Sequence, residues 1–165
     1  MTKCGPSAAG PWAPGSASTI KESCVRPLFS AGIGMIAESL RNWRPGEPLE
    51  RILDRSFPAH PDPAHDAVGA LVRLTRTEPA LRAVWLQTYD EAEPAFARAL
   101  AERAGLPADD LRPVIQAAMF NAALRAAVEH HAWHTADAAP DATATRAELE
   151  AALRTALEVA ARGIA

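Results

Sequence analysis

Apolar residues recur at three- and four-residue steps along most of this chain, the spacing of helices that each turn one face inward. The clearest stretch runs from Glu78 to Trp133. It predicts two long helices around a tight corner at Gly105-Leu106-Pro107, because glycine closes a helix with a left-handed cap and proline cannot continue it. Thr77 is the expected N-cap of the first helix, with Pro79 close behind, and the inward face is Leu81, Val84, Trp85, Thr88 and Ala92. Pro94 falls inside this helix, where a proline removes one hydrogen bond at a cost of about 3 kcal/mol, so a kink is expected near Glu91 to Ala95. The pattern then resumes through Phe96, Ala99 and Leu100. Asp109 or Asp110 caps the second helix, which continues through Val114, Ile115, Ala118, Met119, Ala122, Ala126 and Trp133. Being apolar on more than one face, it needs cover on two sides, one from its own subunit and one from another.

Shorter elements flank this hairpin. A first helix is predicted from Gly34 or Met35 to Trp43, stopping at Arg44-Pro45-Gly46, and a second from Leu49 to about Phe57 with Ile52 and Leu53 inward. A third opens at Asp62 or Pro63 and passes through Val68, Leu71 and Val72. After a polar break at Thr135 to Asp141, Thr145-Arg146-Ala147-Glu148 reads as a capping box. The last helix then sets Leu149, Leu153, Ala156, Leu157, Ala160 and Ile164 along one stripe, a coiled-coil-like seam. Residues 1–34 are different, with Gly5, Pro6, Gly10, Pro11, Pro14 and Gly15 set among Ser and Ala. They read as a poorly ordered N-terminal segment, and 35–165 as the helical domain. Since periodicity appears only after this segment, a shifted or misplaced start is one account of it.

The chain has 165 residues, 48% hydrophobic but only 5% aromatic, and much of the apolar share is alanine. That is the composition of an all-α domain with one core. The net charge is −3 and the only lysines are Lys3 and Lys21, so no cationic face for nucleic acid is evident. Cys4 and Cys24 form neither a disulfide framework nor a metal spacing and fit reduced thiols in a cytoplasmic protein. The apolar run from Pro27 to Ala37 is too short to span a bilayer and starts too deep for a signal peptide, so no membrane association is expected.

Candidate chemistry is sparse. His130 and His134 stand at i and i+4, as two metal ligands on one helix would, but Glu129 points away from them and no cysteine is near. A polar helix end is the expectation, with no metal. Ser39 and Ser56 lack a glycine elbow, and Asp90 and Glu93 lie on an ordinary charged face, so the chain reads as non-enzymatic and without a cofactor. Trp85, Tyr89, Phe96, Met119 and Phe120 are suited either to core packing or to lining an apolar cavity, with Gln116, Asn121 and Thr88 as polar contacts.

Four runs together carry a resemblance: Glu78-Pro79-Ala80-Leu81-Arg82, Ala99-Leu100-Ala101-Glu102-Arg103 before Gly105, Asp109-Asp110-Leu111-Arg112, and Ala122-Ala123-Leu124-Arg125-Ala126-Ala127. They resemble the C-terminal domain of TetR-family transcriptional regulators. The resemblance implies a helical bundle with a cavity beside the kinked fourth helix, where a small apolar effector would meet Trp85, Tyr89, Phe96, Gln116, Met119 and Phe120. It also implies a homodimer in which the last two helices form a four-helix bundle, with Ala118, Ala122, Ala126, Leu149, Leu153, Ala156, Leu157 and Ala160 at the seam. Family members carry a three-helix DNA-binding head ahead of this domain, and residues 1–34 do not match a helix-turn-helix. DNA is therefore expected as a partner only through a head supplied by an intact protein or a partner chain. The alternative reading is a stand-alone helical dimerisation or interaction module without DNA binding.

Overall fold

The computed structural model describes residues 16–44, 46–48, 50–56, 63–107, 109–134 and 142–162. Six helices follow one another: α1 (Ser16–Arg41), α2 (Glu50–Ser56), α3 (Pro63–Leu74), α4 (Pro79–Ala104), α5 (Leu111–His134) and α6 (Ala142–Arg162). Among the described residues there is no strand, and the fold is all-α. Helix α4 is central, packed between α1 and α5; α6 covers α5, α3 leans on α5, and α2 bridges α1 to α6. No helix among the described residues is long and apolar enough to cross a membrane.

The corner between α4 and α5 forms as its residues dictate. Gly105 takes φ 65°, its N–H bonds the Glu102 carbonyl at 3.2 Å, and the Leu106 N–H reaches back to the Ala101 carbonyl at 2.9 Å. This paired closure satisfies carbonyls that the helix end leaves open, and a residue with a Cβ would be strained at its left-handed position. Asp110 caps the other side, its Oδ1 accepting the Arg112 N–H at 2.9 Å.

Three helix starts differ from expectation. The first helix begins at Ser16, not at Gly34 or Met35, and so crosses the expected boundary between residues 34 and 35. Residues 1–15 of the segment read as poorly ordered lie outside the described residues, as does the break at 135–141. Phe29, Ile33, Ile36 and Leu40 of α1 are all buried, at helical steps of four, three and four. Pro27 and the nearby glycines obscured that period, although Pro27 sits within the helix. At α4 the cap is Glu78 rather than Thr77: a residue before proline is pushed to extended backbone, and Glu78 has φ −112° and ψ 95°. At the chain's last helix, the expected capping box at Thr145 falls inside α6, which starts at Ala142.

The interior is one continuous cluster centred on Trp85, Phe29, Phe96, Ile52, Leu53, Leu124 and Leu153, each no more than 2% exposed. Burying a side chain of this size contributes about 1.5–3 kcal/mol. At the rim, Arg103 lies 3.5 Å from the Trp43 ring centre and donates to the Arg44 carbonyl at 2.7 Å, tying α4 to the end of α1. Arg154 reaches Asp54 at 2.7 Å and joins α6 to α2. These exposed links mainly fix orientation, since surface ion pairs contribute little.

Candidate functional site

The six residues expected around an effector do not all come together. Trp85, Tyr89, Phe96 and Phe120 are buried between α4 and its neighbours, whereas Gln116 and Met119 lie on the exposed face of α5. The buried four make close edge-to-face contacts: Phe29 with Trp85 at 4.8 Å, Trp85 with Tyr89 at 4.7 Å, and Phe96 with Phe120 at 5.3 Å between ring centres. Rings packed this way prefer offset geometry and fill the interior. Burial also pushes the Tyr89 hydroxyl far above its ordinary value, so it stays a neutral phenol.

Besides Thr88, whose hydroxyl donates to the Val84 carbonyl at 2.8 Å, two polar groups sit within this apolar layer. Asn121, 5% exposed, donates through Nδ2 to the Tyr89 carbonyl at 3.0 Å and to Glu93 Oε2 at 3.2 Å. Its Oδ1 is buried without a hydrogen-bond partner. The Tyr89 carbonyl lies one residue before that of Asp90, which Pro94, lacking an N–H, leaves without its helical donor. Helix α4 nevertheless runs through Pro94 without interruption.

The second group is Glu129, 6% exposed. Its Oε1 accepts from Trp85 Nε1 at 2.8 Å and from Arg82 Nη1 at 2.7 Å, and Arg125 lies 3.4 Å away. A buried carboxylate is costly unless paired and hydrogen-bonded, and here three donors converge on it. Arg82 and Arg125 are themselves half-buried, and their guanidinium groups reach the carboxylate from the rim of the layer. The sequence showed Glu129 only as a neighbour of the histidines; its inward direction is a product of helix register.

Of the eight residues expected at a dimer seam, Leu153 and Leu157 are buried inside this subunit, at 0% and 3% exposure. Leu149, Ala156, Ala160 and Ala118 are half-buried, and Ala122 and Ala126 are exposed. Among the described residues of these two helices, the large exposed apolar side chains are instead Leu111, Val114, Ile115 and Met119 of α5 and Val159 of α6, from 37% to 67% exposed. Leu111, Ile115, Met119, Ala122 and Ala126 follow steps of four, four, three and four, so they share one stripe.

His130 and His134 stack with ring centres 4.1 Å apart, and His134 Nδ1 lies 2.7 Å from the His130 carbonyl. Among the described residues no group of three or more His, Cys, Asp or Glu could hold a metal ion. Burial, foremost, lowers the neighbouring His131 below the ordinary imidazole range.

A cleft of about 410 Å³ opens where the turn after α3 meets the end of α5, lined by Thr75, Arg76, Pro79, Arg82 and Trp133. The Arg76 and Arg82 guanidinium carbons each lie 5.5 Å from the Trp133 ring centre. Sequence reading passed over this site, because Arg76 and Trp133 are far apart in the chain and neither belongs to a motif.

Residues 54–165 match the family model of the MftR C-terminal domain, a regulatory domain of TetR type. The match runs from the end of α2 through α6. No curated protein matches the chain.

Proposed function

Since this chain belongs to the TetR family through its C-terminal regulatory domain, we propose that it acts as the effector-sensing and homodimerising part of a ligand-responsive transcriptional regulator, in the cytoplasm. The observation that carries the reading is the outward stripe on α5, Leu111, Ile115 and Met119 continued by Ala122 and Ala126, with Val159 also exposed on α6. Monomeric proteins seldom leave so long an apolar row in water. From Leu111 to Ala126 the helix rises about 22 Å, enough for two copies of α5 and α6 to meet as a four-helix bundle. The inner side of α6, with Leu153 and Leu157, holds α6 to its own subunit, and the small Ala122 and Ala126 let the second copy approach closely.

The effector on this reading is a small apolar molecule that enters beside Pro94, between α4 and α5. The buried Asn121 Oδ1 supports that placement, since an unpaired buried acceptor is stabilised by any ligand that brings a donor. Trp85, Tyr89, Phe96 and Phe120 would have to part to admit the ligand, and that rearrangement is what would reorient the two subunits. DNA would be met through a helix-turn-helix head, outside this helical domain.

The experiment is to replace Ile115 and Met119 together by glutamate and measure mass in solution by light scattering. Wild type is expected as a dimer and the double variant as a monomer of unchanged helical circular dichroism; a variant that remains dimeric sinks the interface. Effector binding is checked separately with a thermal-shift panel of flavonoid-like, acyl and cationic drug-like compounds. A native-state ligand must raise the melting temperature, and no rise across the panel counts against the sensor.

A further inference from the structure

We propose that the cleft between the α3–α4 turn and the end of α5 binds a small organic anion, its carboxylate held by Arg76 and Arg82 and its apolar body against Trp133 and Pro79. The cleft, of about 410 Å³, is broadly open to solvent, so a ligand there would lie against the wall these residues form. The Arg76 and Arg82 guanidinium carbons each lie 5.5 Å from the Trp133 ring centre, so both cations border the same cleft, where an anion would gain from them.

The charges already present do not supply that anion. Glu129 bonds Arg82 from the core side at 2.7 Å and is shared with Trp85 and Arg125. Among the described residues no carboxylate pairs with Arg76. Since the whole chain carries a net charge of −3, the cationic surplus here is local.

The site is also pre-formed. Trp133 Nε1 donates to the Val72 carbonyl at 3.3 Å, and the Thr75 hydroxyl donates to the same carbonyl at 2.7 Å, so ring and turn are held to one point at the end of α3. Rigid placement lowers the entropy lost when a ligand binds. Guanidinium forks match planar oxyanions better than point charges, and the indole and proline offer an apolar wall; together these select a carboxylate with a hydrophobic body over a bare inorganic ion. This site shares no residue with the α5 stripe and meets the aromatic interior only through the Arg82–Glu129–Trp85 link, and its test does not depend on the dimer.

The test uses the full chain labelled with nitrogen-15, following the Trp133 indole N–H signal, assigned with W133F. Phenylacetate is the probe, and phenylacetamide and inorganic phosphate are controls at equal millimolar concentration. The expected result is a saturable shift with phenylacetate, a much weaker one with either control, and affinity reduced about tenfold in R76Q, the loss of one charge-assisted pair. Arg76 is exposed, so R76Q is expected to melt where wild type does. Absence of a saturable shift, an equal response to phenylacetamide or to phosphate, or unchanged affinity in R76Q would each overturn the proposal.

Discussion

Glu129 and Asp110 are two carboxylates with opposite settings. Glu129 is buried and held by Trp85, Arg82 and Arg125, so Glu129→Gln keeps the shape but leaves charge-assisted bonds weakened. A loss of about 2 kcal/mol is expected in urea unfolding, without change in the slope of the transition. Asp110 lies at the surface, half-buried, and its carboxyl is pulled from the ordinary 3.8 down to about 2, first by the Arg112 side chain and then by the Arg112 N–H. A carboxyl whose folded value is depressed stabilises the fold above its ordinary value, and loses that contribution as pH falls through the folded value. Asp110→Asn retains a capping oxygen but not the charge. Its melting temperature should lie below wild type at neutral pH, and the gap should close as pH falls through about 2. A gap that persisted below that pH would show that the carboxylate charge is not what matters.

At the scale of elements, α1 and α6 show where sequence pattern and packing part company. The stripe Leu149, Leu153 and Leu157 was expected to face a second subunit, and it does form one face of α6. That face meets α5 of the same chain, because two helices joined by a short connection bury their best apolar faces against each other first. Leu153→Ala should therefore cost about 2–5 kcal/mol of subunit stability rather than dissociate a dimer, as chemical denaturation followed by circular dichroism would show. Helix α1 offers a parallel case. Phe29, 2% exposed, meets Trp85 edge to face, so Phe29→Ala should lower stability by about 3–5 kcal/mol. An effect near zero would mean that α1 is not docked on α4.

For the whole molecule, the proposed pairing through α5 and α6 makes stability depend on concentration. A dimer that melts to unfolded chains gains from mass action, so the melting temperature of wild type should rise as protein is concentrated. The variant with Glu at positions 115 and 119 should show no such rise. A concentration-independent melting curve for wild type would leave the outward stripe to some other role.

The sequence by itself determined the helical class, the α4–α5 hairpin and its glycine corner, since these rest on local rules: periodicity of apolar positions, propensity, and the left-handed backbone at Gly105. Its family resemblance was legible for the same reason, as soft Ala, Leu and Arg patterns repeat on those helices and the match covers residues 54–165. Tertiary structure alone decided which of two apolar faces turns inward, because periodicity marks a face without naming its partner. It placed Leu153 inside and Ile115 outside, and closed Trp85 and Phe120 into packed rings while leaving Gln116 in solvent. The convergence of Trp85 and Arg82 on Glu129, and of Arg76 and Arg82 on Trp133, likewise arises from side chains of separate elements meeting in space, which no local spacing encodes.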